Sequence, residues 1–460
     1  RDTDTEARRT VLAERRERLR KDVMPVLTQQ LPHITEIRIS VFGFSRGAAE
    51  ARVFVNWLRD LCDEAHGPMH ICGVPAVVDF LGIFDTVASV GAAQGVLEDV
   101  ADGHGGWARP RDLRIPDASI VKQCLHFVSG HEARGSFPVD AAAGENVEEI
   151  VFPGVHSDIG GGYLPGEQGR GLTDDAKLSQ IPLCEMYRAA MVAGVPLVDI
   201  DVARQAVKDA FKVSPDLIDR FNAYMAEVRR TSFGTTTTDL VRTHYRAYLH
   251  WRRHRLGRHA NLPGTQRASR QDRTDLLQAD AELKQEWELL QHADAYASAR
   301  NGLWGRGYTG LAWRSIEGLT SAAVLFFVNA MGSMFGSLAH DRFRDLPGGV
   351  VSQIVPQYDG YQAMRLTMAF EHAAESKWGQ WREVNSRSAW GSEEPAPQAI
   401  CALLEQDVHD SRAWFKPLGD DDDVWVVKQR AAYAEQQRDM EALLRKEATA
   451  REGQRPKSGL

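Results

Sequence analysis

One short stretch constrains this chain more than any other. Gly43-Phe44-Ser45-Arg46-Gly47 lies between an apolar, β-branched run at 34–42 (ITEIRISVF) and a helical pattern over 48–61, with Val53, Phe54, Leu58 and Leu61 on one face. The spacing predicts a strand, a tight turn and a helix, the local arrangement that lifts a G-x-S-x-G serine clear of a sheet. Gly43 and Gly47 are expected to let the neighbouring backbone approach closely, and Ala48 and Ala49 to keep the helix start slim. The helix N-terminus would aim free N–H groups at the serine, with the N–H of Arg46 the natural oxyanion donor. An ordinary serine in a glycine-rich turn has the same local pattern, so the rest of the chain must supply a base and an acid.

Two further apolar runs end on suitable groups. Residues 74–84 (VPAVVDFLGIF) read as a buried parallel strand and end at Asp85. Residues 148–155 (EEIVFPGV) read as another and end at His156, followed by Ser157, Asp158 and the run Gly160-Gly161-Gly162. Strands alternating with helical stretches predict an α/β fold with a mostly parallel sheet. Active groups of such sheets sit at the carboxyl ends of the strands, where Ser45, Asp85 and His156 all fall. The order serine, acid, histidine is that of α/β-hydrolases. Alternatives stay open in the residues. Asp85 also suits a helix N-cap, and His156 a packed loop. His126, His131 or His409 could be the base instead, and Asp158 the acid, although its place two residues from His156 suits loop shaping better.

Beyond about residue 175 the pattern turns helical. At roughly 100–200 residues per domain, 460 residues predict two or three domains, or one large domain with insertions. The expected division is a catalytic domain over 1–175, a mainly helical region over 176–400, and a segment over 401–460 that returns to the catalytic domain and ends in a charged helix and tail. Residues 241–259 carry six Arg and four His with no acid, and Tyr245, Tyr248 and Trp251 lie among them. That stretch suits anionic headgroups or a solvated basic face. Residues 319–338 include Phe326, Phe327, Met331, Met334 and Phe335, a pattern that fits a core helix or one lying in a membrane interface. The acidic run 420–423 matches no ordered cation loop and reads as a solvated turn.

Composition closes off other classes. A net charge of −8 excludes a nucleic-acid-binding polycation. No purely apolar run reaches the roughly 18 residues of a membrane span. Five scattered cysteines with no C-x-x-C pair predict reduced thiols and neither a disulfide framework nor a zinc site. No metal or cofactor is called for. No signal-peptide pattern opens the chain, which starts at Arg1 in a charged helical stretch, 5–31.

Taken together, the motifs resemble the first class of type VI secretion lipase effectors. The stretches that carry the resemblance are 41–48 (VFGFSRGA), 80–91 (FLGIFDTVASVG), 130–134 (GHEAR) with Phe137-Pro138, 152–163 (FPGVHSDIGGGY) and 408–415 (VHDSRAWF). The resemblance implies an α/β-hydrolase-like domain with Ser45, Asp85 and His156 as triad, hydrolysing acyl esters of membrane phospholipids. It also implies manufacture in the cytoplasm, secretion into a rival cell on a spike protein, and neutralisation by an immunity protein. That family begins with a strand bearing a Phe-Asp-Gly-Thr-type loop, which has no counterpart here. The expectation is therefore an N-terminally incomplete chain whose second oxyanion donor cannot be named. Two other readings remain: a carboxylesterase or acyltransferase for soluble esters, and a membrane-binding toxin module with a vestigial hydrolase site.

Overall fold

The computed structural model describes residues 2–29, 33–62, 69–88, 112–134, 137, 139–232, 234–291 and 394–413. The elements around the sheet are α1 (Asp2–Gln29), β1 (Ile37–Phe44), α2 (Arg46–Leu61), β2 (His70–Ile71), β3 (Val74–Phe84), β4 (Val121–Ser129), β5 (Val147–Phe152) and α3 (His156–Gly160). Helices follow: α4 (Gln180–Val192), α5 (Gln205–Ala210), α6 (Pro215–Arg230), α7 (Thr237–Arg253), α8 (Pro263–Arg267), α9 (Arg270–Gln291) and α10 (Gln398–Gln406). The apolar stretch 319–338, with Phe326, Phe327, Met331, Met334 and Phe335, and the acidic run 420–423 lie outside the described residues. Among the described residues no helix is long and apolar enough to cross a membrane.

The sheet runs β1-β3-β4-β5 with every neighbouring pair parallel, and β2 joins β3 as a short antiparallel hairpin. Cys72 and Gly73 form that hairpin turn with φ values of 52° and 81°, as a tight two-residue connection requires. The α/β architecture is the expected one. β3 is buried along nearly its whole length because it has a parallel partner on each side and helices over both faces.

Strand β4 is the element that the sequence pattern hides. Lys122, Gln123 and His126 interrupt its apolar run, and two of these breaks have buried partners. Lys122 pairs with the buried Asp79 of β3 at 2.8 Å, and Arg38 of β1 reaches the same carboxylate at 3.0 Å. His126 is buried between Glu149 of β5, at 2.8 Å, and Thr86, at 3.1 Å from both its N–H and its hydroxyl. Strand β5 ends at Phe152 rather than Val155, because Pro153 has no N–H to continue the ladder.

Helix α2 lies on the sheet through Ala48, Ala51, Val55 and Leu58. Phe54, expected on that face, points outward and is 47% exposed, since the buried stripe runs through 48, 51, 55 and 58. Arg52 of α2 is buried and donates to the carbonyls of Leu113, Asp140 and Ala141, tying two loops to the helix. Arg16 of α1 donates to the carbonyls of Asp60 and Leu61, a cation at the carboxyl end of α2.

On the opposite face Met186 and Ala190 of α4 pack with Phe80, Leu125, Phe127 and Phe152. A separate core joins α6, α7 and α10 through Leu217, Tyr224, Tyr245, Leu249, Leu403 and Leu404. All five cysteines are free thiols. Burial pushes the Cys124 thiol up to about 12, so it stays protonated.

Candidate active site

Four strand ends meet at one place on the carboxyl edge of the sheet. Ser45 follows β1, Asp85 follows β3, Ser129 closes β4, and His156 opens α3 just after β5. Ser45 has φ 59° and ψ −123°, and Asp85 has φ 43°. Neither is a conformation that a non-glycine residue adopts freely, so the surrounding structure must enforce both. The enforcement is visible in the backbone. The Ser45 N–H donates to the Phe84 carbonyl at 3.0 Å, and the Asp85 N–H donates to the Phe127 carbonyl. The Ser45 carbonyl in turn accepts from Ala48, Ala49 and Val87.

The side chains form a continuous chain of hydrogen bonds. His156 Nε2 is 2.8 Å from Ser45 Oγ, and His156 Nδ1 is 2.6 Å from Asp85 Oδ2. Asp85 accepts twice more, from the Ser129 N–H at 2.8 Å and the Ser129 hydroxyl at 3.1 Å. A carboxylate can only accept, so Nδ1 carries the ring proton and Nε2 is left to accept from the serine hydroxyl. Asp85 is fully buried and His156 nearly so. The His156 ring lies between Phe44, at 4.6 Å, and Phe137, at 5.1 Å between centroids. Its backbone N–H donates to Glu132 Oε2 at 3.1 Å, and Glu132 is paired with the buried Arg134 at 3.0 Å.

Two N–H groups remain at the start of α2. Those of Arg46 and Gly47 donate to no backbone carbonyl among the described residues, while Ala48 and Ala49 bond back to Ser45. The turn is tight around Gly43, where a Cβ would overlap the Gly47 carbonyl oxygen. Gly47 differs from expectation. A Cβ there would meet open space, because it lies on the outer side of the turn.

The rival residues have other partners. The Gly154 N–H donates to His131 Nδ1 at 2.9 Å, so His131 holds its proton on Nε2, which faces the Tyr224 hydroxyl at 2.8 Å. Tyr224 then reaches His244 Nδ1 at 3.0 Å. Burial holds His131 well below its ordinary value and His244 down at about 3, so both are neutral core histidines. His126 is taken up by Glu149 and Thr86. His409 does not reach Ser45. Its Nδ1 lies 2.6 Å from Asp158 Oδ1, so neither the alternative base nor the alternative acid is placed for Ser45.

The basic helix is corrected as well. Trp251 is 4% exposed, and Tyr245 and Tyr248 are buried with it, because that face of α7 packs on α6 and α10. Trp251 is therefore a core residue and not a membrane contact. Sequence reasoning missed the roles of Ser129, Glu132, Phe44 and Phe137. Phe44 and Ser129 carry a signal in retrospect, since both sit at strand ends beside the candidate groups. Among the described residues no cluster of His, Cys, Asp or Glu could hold a metal ion.

Residues 65–189 match the family profile "T6SS, Phospholipase effector Tle1-like, catalytic domain". The matched Tle1-like stretch contains Asp85 and His156 and begins after Ser45. A crystal structure of an uncharacterized protein from Pseudomonas aeruginosa is similar, with 24% identity and a TM-score of 0.53, over 90% of this chain. That likeness speaks to the fold alone, and the chain spans 60% of that protein's length. A Tle1 effector solved bound to the VgrG spike of the type 6 secretion system matches at 20% identity over 52% of this chain and 63% of its own. Its TM-score of 0.32 carries no argument about the fold. No curated protein matches the chain.

Proposed function

We propose that this chain is the catalytic part of a type VI secretion phospholipase effector, a serine hydrolase that cleaves acyl esters of membrane glycerophospholipids. The observation that carries the proposal is the unbroken hydrogen-bonded line from Ser45 through His156 to Asp85, the last two of which lie in the stretch that matches Tle1-like catalytic domains. Ser45 Oγ attacks the ester carbonyl while His156 Nε2 takes its proton. The C–O bond then breaks, and His156 returns the proton to the leaving alcohol. Water repeats the two steps on the acyl-enzyme and releases the fatty acid. Asp85 holds the imidazole in the reactive tautomer and stabilises the imidazolium. The N–H of Arg46 faces the oxyanion, aided by the α2 dipole.

The division into a catalytic domain, a helical region and a returning C-terminal segment belongs to the same proposal. So do the partners and the place of action: carriage on a secretion spike from the cytoplasm, a phospholipid bilayer in the target cell as substrate, and a cognate immunity protein.

The test is fatty-acid release from phosphatidylethanolamine–phosphatidylglycerol vesicles by the wild type beside Ser45→Ala. Release by the wild type alone supports the proposal. Equal release by both removes Ser45 as nucleophile. Cleavage of a water-soluble acyl ester but not of vesicles would assign the site to soluble esters instead.

A further inference from the structure

The Ser45–His156–Asp85 line is not the chain's only aspartate–histidine pair. A second lies beside it. His409, from the segment after α10, places Nδ1 2.6 Å from Asp158 Oδ1 and donates its backbone N–H to Asp158 Oδ2 at 3.1 Å. Its Nε2 lies 3.1 Å from the Glu167 carbonyl, and its ring stacks on Tyr163 at 3.7 Å with planes 8° apart. The loop 154–169 thus grips this imidazole on both edges and one face. Both partners of the pair are buried.

The grip acts on the element that carries His156. Helix α3 has five residues, too few to hold its own shape, so outside contacts must fix it. Asp158 sits in α3 two positions after His156. The same Oδ2 that accepts from His409 also accepts the N–H of Val155, the residue before His156, at 3.0 Å. One carboxylate therefore fastens both ends of the turn that aims the imidazole. The chain makes room for it at Gly154, whose φ is 128° and where a Cβ would meet Asp158 Cβ at 2.7 Å. The segment bearing His409 is anchored in turn. Asp407 pairs with Arg220 of α6 at 2.6 Å, and Asp410 exchanges hydrogen bonds with Gln168.

We propose that Asp158 and His409 are positioning residues: their pair locks the 154–169 loop so that His156 Nε2 faces Ser45, without touching the reacting atoms. The proposal rests on the reading of Ser45 and His156 as a catalytic pair. It makes activity depend on a segment lying 251 residues beyond Asp158 in the chain. A displacement of about 1 Å at His156 is enough to cost ~10²-fold in rate.

His409→Phe tests it. The phenyl ring keeps the stack on Tyr163 and the backbone N–H, and loses both ring hydrogen bonds. On a water-soluble acyl ester, well below the melting temperature, kcat is expected to fall ~10²-fold with KM unchanged. The downfield proton resonance of His156 Nδ1–H, bonded to Asp85, is expected to shift or broaden in the same variant. His409→Gln, which retains a side-chain N–H, is expected to fall between the two and carries the test if the Phe variant does not fold. A lowered melting temperature with kcat and the resonance unchanged would overturn the proposal, since that is what a merely structural pair predicts. If wild-type Ser45 neither cleaves esters nor reacts with a fluorophosphonate, the nucleophile assignment fails separately. The His156 resonance needs no turnover, and its response to His409→Phe then decides the positioning role by itself.

Discussion

Asp85→Asn exchanges one oxygen for an NH2 group and should silence the site while leaving the fold intact. Asp85 Oδ1 accepts from the Ser129 N–H at 2.8 Å, and Oδ2 faces the Ser129 hydroxyl and His156 Nδ1. The asparagine carbonyl will take the Oδ1 position, because the reverse orientation sets NH2 against the Ser129 N–H and orphans a buried donor at about 1–3 kcal/mol. That leaves NH2 against His156 Nδ1 and drives the ring proton to Nε2. The imidazole then presents a donor to Ser45 Oγ, 2.8 Å away, and cannot take its proton. In serine proteases the equivalent change costs about 10⁴ in kcat, which is ~5.4 kcal/mol at 1.36 kcal/mol per tenfold. The same loss is expected here in steady-state hydrolysis of a soluble acyl ester, with the melting temperature nearly unchanged because the residues are isosteric. A loss of less than about tenfold, ~1.4 kcal/mol, would match one ordinary hydrogen bond and refute Asp85 as the orienting acid.

Gly43→Ala should open the serine turn, since the new methyl overlaps the Gly47 carbonyl oxygen. Loss of about 1–3 kcal/mol of stability and of most activity is expected by denaturant melt and ester assay, whereas Gly47→Ala, with open space for its Cβ, should stay within ~0.5 kcal/mol of wild type. Equal effects of the two changes would contradict a turn that is tight at Gly43 and open at Gly47. Acid should weaken the fold before carboxylates titrate. Burial holds His244 at about 3 and His259 at about 2, while both titrate near ~6.5 once unfolded. Between those values the unfolded chain binds more protons, so stability is full above pH ~6.5 and falls as pH drops, by about 1.4 kcal/mol per histidine at pH ~5.5. Melting temperatures measured from pH 8 down to 5.5 should therefore decline below pH ~6.5, and a flat or rising curve would refute neutral burial of these rings.

The local grammar of the site was legible in the chain. An apolar run that stops at Ser45, Asp85 or His156 reports a parallel strand delivering a polar group to its carboxyl end, and strand direction then puts the three on one edge of the sheet. The limits of that reading fall where partners are distant. Strand β4 was hidden because Lys122 and His126 break its pattern, and only Asp79, Thr86 and Glu149 on neighbouring segments make those breaks tolerable in a core. Trp251 and its tyrosines looked like an interface because their sequence neighbours are basic, while their own face is covered by α6 and α10.

The histidines show the division most clearly. Five of them, His126, His131, His156, His244 and His409, sit beside polar groups, and the sequence favours His156 only by its place after an apolar run. Tertiary structure separates them by what each ring faces: Glu149 and Thr86, Tyr224, Ser45 and Asp85, Tyr224 again, and Asp158. Sequence by itself determined which residues stand at strand ends, because periodicity and chain breaks are local. Which of those residues are bonded to one another was decided only by the fold, because a hydrogen bond depends on distance and direction between groups, not on their separation along the chain.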